Sequence, residues 1–235
     1  FVPESVSLSA AHSDQTETAD LGILQRLRRV LGLPAIWLIA VIIIAAYSAF
    51  KMIDNYGLYA EDAFGLSPTE SARLIARISY VRVLAAVGAG LIADRLLGTS
   101  TAIQVCFGLL IASYALFLWL PPDQTFVWLM IINMIVSCLG FFALRGIYFA
   151  LLEETGTPRA LTGMAVGVVS FIGFTPEIFM GPMTGWLIRE ARASGDVLVG
   201  YHQIFWILIV ISACGWAAAY AFRWFEPGSG GSSTR

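Results

Sequence analysis

The chain has 235 residues, 58% apolar and only 13% charged, with a formal net charge of −2. A soluble domain carries about 25% charged residues and a more even apolar share, so the composition excludes an ordinary water-soluble globule. The near-neutral sum singles out no class of partner, and neither nucleic acid, a metal nor a cofactor is expected.

Residues 1–20 are polar, rich in Ser, Thr, Ala and acids, with Pro3 among them. Such a stretch is too poor in apolar residues to fold alone and is predicted to be a mobile linker. Residues 21–34 follow as a basic amphipathic helix. Ile23, Leu24, Leu27, Val30 and Leu31 share one face, while Arg26, Arg28 and Arg29 fall mostly elsewhere. A helix of this kind lies in the membrane interface, against lipid. Pro34 then opens the first long apolar run, at a position where its missing N–H costs nothing.

A helix needs about 20 apolar residues to cross a bilayer. Runs of that length are predicted at 36–58, 69–93, 101–120, 125–149, 162–188 and 202–224. They fill a domain over 35–224, which makes the expected fold all-α: a polytopic membrane protein of six transmembrane helices. Ser67, Pro68 and Glu70 form a capping box with proline at the first helical position, marking the start of the second span. Residues 225–235 are Gly/Ser-rich and predicted to be a disordered tail. The chain opens on Phe1 with no leader pattern, so it is expected to be a fragment of a longer polypeptide. Cys106, Cys138 and Cys214 lie within spans and far apart, the pattern of core residues rather than of disulfides or metal ligands.

Arg26, Arg28, Arg29, Arg95, Arg159 and Arg223 fall on one side of a six-span arrangement, Arg189 and Arg192 on the other. That other side carries the first-loop acids Glu61 and Asp62, and Asp123. Basic residues mark the cytoplasmic side, which places both termini in the cytoplasm. Trp119, Trp128, Trp186, Tyr201 and Trp224 sit near span ends and suit an interfacial aromatic belt.

Charges at the bilayer centre cost about 2.5–3.5 kcal/mol each on insertion scales and face the bundle interior or a wet cavity. Arg82 is the deepest, about 21 Å along its helix from Pro68. It either grips an anionic solute with its planar donor fork or forms a structural ion pair. Glu177 follows Pro176 at mid-span, where the broken backbone suits a wet, moving site. Its carboxyl serves proton coupling or charge balance against Arg82 or Lys51. Lys51 and Asp54 are three apart and share a face with Tyr47, either as an intrahelical ion pair or as cavity lining. Arg73 is accounted for by snorkelling or by pairing with Glu70 and the first-loop acids. Arg77, one turn deeper, is a candidate for reaching the cavity. Arg145 is expected to pair with Glu153 or Glu154, and Asn133 and Tyr148 to serve packing or helix–helix hydrogen bonds.

Between the second and third spans stand Gly90, Asp94, Arg95 and Gly98 in the order GLIADRLLG. This resembles the loop signature of the major facilitator superfamily. Gly98 falls one residue later than in the family pattern, and Thr99 and Ser100 stand where it has basic residues, a degeneracy common in the C-terminal half of these transporters. The fifth span, with Gly163, Gly167, Gly173, Pro176, Gly181, Pro182 and Gly185, is similar to the Gly/Pro-rich eleventh helix of the family. The linker and basic helix resemble its central loop. The stretch from Ala143 to Trp186 further resembles the nitrate/nitrite-porter-like and organic-anion branches.

The resemblance implies the C-terminal six-helix half of a secondary active transporter. Its substrate site lies at the midplane between this half and a missing N-terminal six-helix half. It implies alternating access, a small anionic solute and a bacterial inner-membrane location. It makes Arg82, Lys51, Tyr47 and Arg77 the substrate-binding candidates, and Glu177 and Asp54 the candidates for proton coupling or charge balance. Gly90, Asp94, Arg95 and Gly98 become the conformational loop.

A self-sufficient six-helix transporter acting as a homodimer is the alternative. A channel or voltage-sensor-like subunit is disfavoured, because no TVGYG-like filter is present and Arg73, Arg77 and Arg82 do not share one face. No catalytic motif occurs in the chain, and no enzymatic activity is expected.

Overall fold

The computed structural model describes residues 22–81, 85, 87–88, 98–155 and 159–225, without the side chains of residues 159, 160 and 225. The linker 1–20 and most of the tail lie outside them. Among the described residues every regular element is helical: α1 (Ile23–Leu31), α2 (Pro34–Phe50), α3 (Ile53–Phe64), α4 (Pro68–Ser79), α5 (Thr99–Trp119), α6 (Val127–Ile147), α7 (Ala150–Glu154), α8 (Arg159–Gly173), α9 (Pro176–Ala193) and α10 (Val197–Phe222), with 3₁₀ turns at Gln124–Phe126 and Arg223–Phe225. Five runs, Pro34–Phe64, Thr99–Trp119, Gln124–Ile147, Leu161–Ala193 and Val197–Phe222, are long and apolar enough to cross a membrane. The chain is an all-α polytopic membrane protein. Of the span expected over 69–93, α4 is described together with helical positions 81, 85, 87 and 88.

Local chemistry explains the helix ends. The Ser67 backbone N–H donates to Glu70 Oε2 at 2.9 Å, and the Glu70 N–H to Ser67 Oγ at 3.4 Å, the reciprocal capping box at the head of α4. Gly65 ends α3 at φ 69°, a left-handed turn that suits glycine. Asp123 accepts from the Thr125 N–H at 2.7 Å and caps the turn before α6.

Two spans expected to be single helices are each two. The first breaks at Lys51 and Met52, where the Met52 N–H reaches back three residues to Ala49 O (3.2 Å) instead of four. The fifth breaks at Phe174 and Thr175. Pro176 has no N–H to donate, and Ile172 O accepts instead from both Thr175 N (3.2 Å) and Thr175 Oγ1 (2.7 Å). Both broken helices also run past their expected ends, at 58 and 188. Glu61 and Asp62, read as loop acids, stand on α3, and Arg189 and Arg192 stand on α9.

α10 packs along α5, α2 and α9; α5 lies against α6, and α2 against α8. Small residues bring these axes close. A Cβ on Gly173 would stand 2.3 Å from Ile43 Cγ2, and one on Gly215 would stand 2.5 Å from Phe107 and 2.6 Å from Ala45. Neither site accepts a side chain without repacking. The core between α3, α5 and α10 is aromatic: Tyr59 meets Phe64, Phe117, Tyr201 and Phe205 edge-on, while Phe117 and Phe205 stack at 4.8 Å. Two buried pairs join helices, Tyr56 with Ser137 at 2.5 Å and Ser113 with Asn133 Oδ1 at 2.8 Å. Trp119, Trp128, Trp186 and Trp224 are exposed. Tyr201 departs from the expected belt: it is fully buried, with its hydroxyl donated to Asp62.

Candidate functional site: a clasped cleft between two broken helices

The breaks of α2/α3 and α8/α9 meet. Lys51 closes α2, Asp54 lies in the first turn of α3, and Glu177 lies in the first turn of α9. Lys51 Nζ is 2.5 Å from Asp54 Oδ2 and 3.4 Å from Glu177 Oε1. The Tyr47 hydroxyl donates to Glu177 Oε2 at 2.7 Å. One carboxylate thus accepts from two side chains of the facing helix. Lys51 is largely covered, with 15% of its side chain exposed, whereas Asp54 and Glu177 are each 56% exposed. The ammonium is buried among its partners, and the carboxylates keep open faces.

Arg145 joins this group from α6. Its guanidinium lies 4.2 Å from the Phe50 ring centre and 5.3 Å from that of Tyr47. The Phe174 ring packs at a tilt against Tyr47 from the other break, with ring centres 5.0 Å apart. An arginine over aromatic faces is held by the ring quadrupole while its donors stay available. The expectation that Arg145 is held by Glu153 or Glu154 missed this placement.

A cleft of about 430 Å³ opens beside the cluster. One wall is the face of Lys51, Asp54, Asn55 and Leu58. The other is the α9 face of Gly181, Thr184, Gly185, Ile188, Arg189 and Arg192, which continues the line of Glu177 at helical spacing. Gly181 and Gly185 create the space, since a Cβ at either would meet no atom within 4 Å.

At its far end the cleft is clasped again. Arg192 Nη2 donates to both oxygens of Asp62, at 2.9 and 2.7 Å, and the Tyr201 hydroxyl donates to Asp62 Oδ2 at 2.8 Å. α3, α9 and α10 are tied through one carboxylate. Glu61, next to it, is turned toward α4 and accepts from the Ser71 hydroxyl.

The structure therefore brings Tyr47, Lys51, Asp54 and Glu177 together. Arg77 stands apart on α4, exposed and without a hydrogen bond or ion pair to the described residues. Arg73 is exposed too, and Asp62 is taken by Arg192 instead. Arg82, Gly90, Asp94 and Arg95 lie outside the described residues. Gly98 precedes α5 at φ 73°, a left-handed-side angle that suits glycine. Sequence reasoning did not single out Asp62, Arg189 or Arg192 as site residues. The signal was present in the phasing, because Lys51–Asp54–Leu58–Asp62 and Glu177–Gly181–Gly185–Arg189 each continue one helical face beyond the apolar run.

No family model matches the chain. It is 24% identical over 234 residues to the inner membrane protein YqcE of Escherichia coli, covering 96% of this chain and 52% of YqcE. It is 25% identical over 195 residues to the inner membrane protein YihN of the same organism, covering 79% of this chain and 44% of YihN. The chain thus spans about half the length of these two relatives. An uncharacterized protein of Mycoplasma pneumoniae is 26% identical over 192 residues, with 71% of this chain and 83% of that protein covered.

Proposed function

We propose that the chain is half of a secondary active transporter of the major-facilitator type, carrying a small anionic solute across the inner membrane by alternating access with no covalent step. The observation that carries this reading is the meeting of two interrupted helices at a shared charge cluster that opens into a cleft. Half-helix ends and unwound backbone at depth are the usual way a membrane protein builds a polar solute site without exposing backbone to lipid. The length of the Escherichia coli relatives supports a second half of similar size, and their names support an inner-membrane location. The degenerate GLIADRLLG loop and the glycine-rich fifth span support the superfamily.

In this reading Lys51 and Arg82 attract the anion and Tyr47 orients it. Glu177 either carries a coupling proton or balances the charge of Lys51. Arg145, held over Tyr47 and Phe50, keeps the floor of the site from becoming net negative. The missing N-terminal six-helix half supplies the opposite wall, both termini face the cytoplasm, and lipid surrounds the rest.

The test is uptake of radiolabelled anions into proteoliposomes by the full-length polypeptide, with and without an imposed pH gradient. Concentrative uptake abolished by Arg82→Lys, with expression retained, is the expected result. Absence of uptake for every anion class, with the protein folded, would sink the reading.

The Mycoplasma pneumoniae relative, most of whose length is matched, favours a second reading in which two six-helix chains assemble. Robust uptake by reconstituted chain 1–235 alone, running as a dimer, would select it.

A further inference from the structure

We propose that the mouth of the cleft is an oxyanion-capture station, with Arg189 as its standing cation and Arg192 as a second cation latched by Asp62. This rests on the reading of the cleft as a solute path, but concerns residues at its far end.

The charges along the cleft are unevenly matched. At the floor, Lys51 and Arg145 face Asp54 and Glu177, two cations against two carboxylates. At the mouth, Arg189 and Arg192 line the cleft, and Asp62 answers only Arg192. Arg189 has no hydrogen bond or ion pair to the described residues. The neighbouring Glu61 is engaged on the α4 side by Ser71, and Glu190 points to the other face of α9, toward Trp206 of α10. One exposed guanidinium with no partner among the described residues therefore lines the cleft, where a planar donor fork favours carboxylate, phosphate or sulfonate oxygens.

Arg192 has the geometry of a latch. It reaches across the cleft mouth from α9 to α3 with one terminal nitrogen serving both Asp62 oxygens, and 58% of its side chain is exposed. Its Asp62 partner keeps a second donor, the Tyr201 hydroxyl, at 2.8 Å. Asp62 thus does not become unpaired when Arg192 turns to an arriving anion. Release of Arg192 both completes the capture site and unties α9 from α3 at that end.

Equilibrium dialysis of labelled inorganic phosphate against the purified full chain in detergent, at fixed ionic strength, tests this without any uptake step. Saturable binding is expected, displaced by sulfate. Arg189→Gln should weaken it at least tenfold and Arg189→Lys less. Asp62→Asn keeps an acceptor for Tyr201 but frees Arg192, so it should tighten binding severalfold. Because that substitution also removes a nearby negative charge, Asp62→Asn with Arg192→Gln is the control: the gain should vanish in it if the freed Arg192 binds the anion. No phosphate binding by the unsubstituted chain overturns the proposal. So does unchanged affinity in Arg189→Gln and Asp62→Asn, or displacement by phosphatidylglycerol but not by sulfate, which would make the site a lipid contact. Loss of uptake with phosphate binding intact would strike the transport reading and leave the capture site standing.

Discussion

Glu177 is bound to the facing helix by a tyrosine hydroxyl at 2.7 Å and a lysine ammonium at 3.4 Å, yet more than half of its side chain stays exposed. Protonating it would release the Lys51 ion pair, so a proton taken up there would be coupled to that contact between the helices. Glu177→Gln should therefore support counterflow exchange at near wild-type rates but lose pH-driven accumulation, measured in the same vesicles with and without a gradient. Equal loss of both activities would make the residue a structural partner of Lys51. The Lys51 pair separates the two roles in another way. Because Lys51 is largely covered and lies 2.5 Å from Asp54 and 3.4 Å from Glu177, Lys51→Glu sets like charges together and should cost clearly more than an exposed pair is worth, about 1 kcal/mol. The swap Lys51→Glu with Glu177→Lys restores the cross-helix pair but leaves Asp54 facing a carboxylate, so it should recover part of the thermal midpoint but not uptake. Recovery of uptake as well would mean that the ion pair only holds the helices together.

The two interrupted helices meet at their breaks, and the glycines along them divide into two kinds. Gly173 lets the end of α8 press on α2, with Ile43 against it. Gly173→Ala should destabilise the fold by about 1–3 kcal/mol through overpacking, read as a lower thermal midpoint in detergent. Gly181 and Gly185 press on nothing and instead leave the cleft empty. Gly185→Leu should fill the cleft, leaving the midpoint unchanged while uptake falls by more than tenfold. A destabilised Gly185→Leu protein would show that α9 packs more tightly there than the structure has it. The two substitutions make a matched pair on one interrupted span.

For the whole molecule, the clasps at the two ends of the cleft suggest how the bundle moves. Lys51–Glu177 binds the half-helices at their breaks, and Asp62–Arg192 binds them where α3 and α9 finish and α10 begins. At the breaks the tie also includes the Tyr47–Glu177 hydrogen bond, whereas between α3 and α9 at the far end it is the single Asp62–Arg192 pair; neither tie involves the aromatic core around Tyr59 and Phe205. The arginine skew predicts that both termini face the cytoplasm. A cysteine placed at position 15 should be labelled by membrane-impermeant maleimide only in inside-out vesicles, and one at Asp123 only in intact cells. Labelling of both from one side would refute the arrangement.

The amino-acid sequence by itself determined the class of the protein. Long apolar runs with few charges admit only a helical membrane bundle, because backbone groups in lipid must be satisfied within the helix. Local chemistry was also legible: the Ser67–Glu70 cap and the Pro176 break. Hydropathy ended the first and fifth helices too early, because it reads Glu61, Asp62, Arg189 and Arg192 as loop charges when α3 and α9 run on through them. Tertiary structure alone decided which residues meet. Lys51 and Glu177 are 126 residues apart and Asp62 and Tyr201 are 139 apart. Nothing local couples them; the close approach of α2, α8, α9 and α10 does. Arg145 shows the same limit: nearby acids were its natural partners along the chain, whereas packing of α6 on α2 placed it over Phe50 and Tyr47. A one-dimensional pattern gives a residue's depth in the membrane, but its azimuth around the bundle is set only when the helices pack.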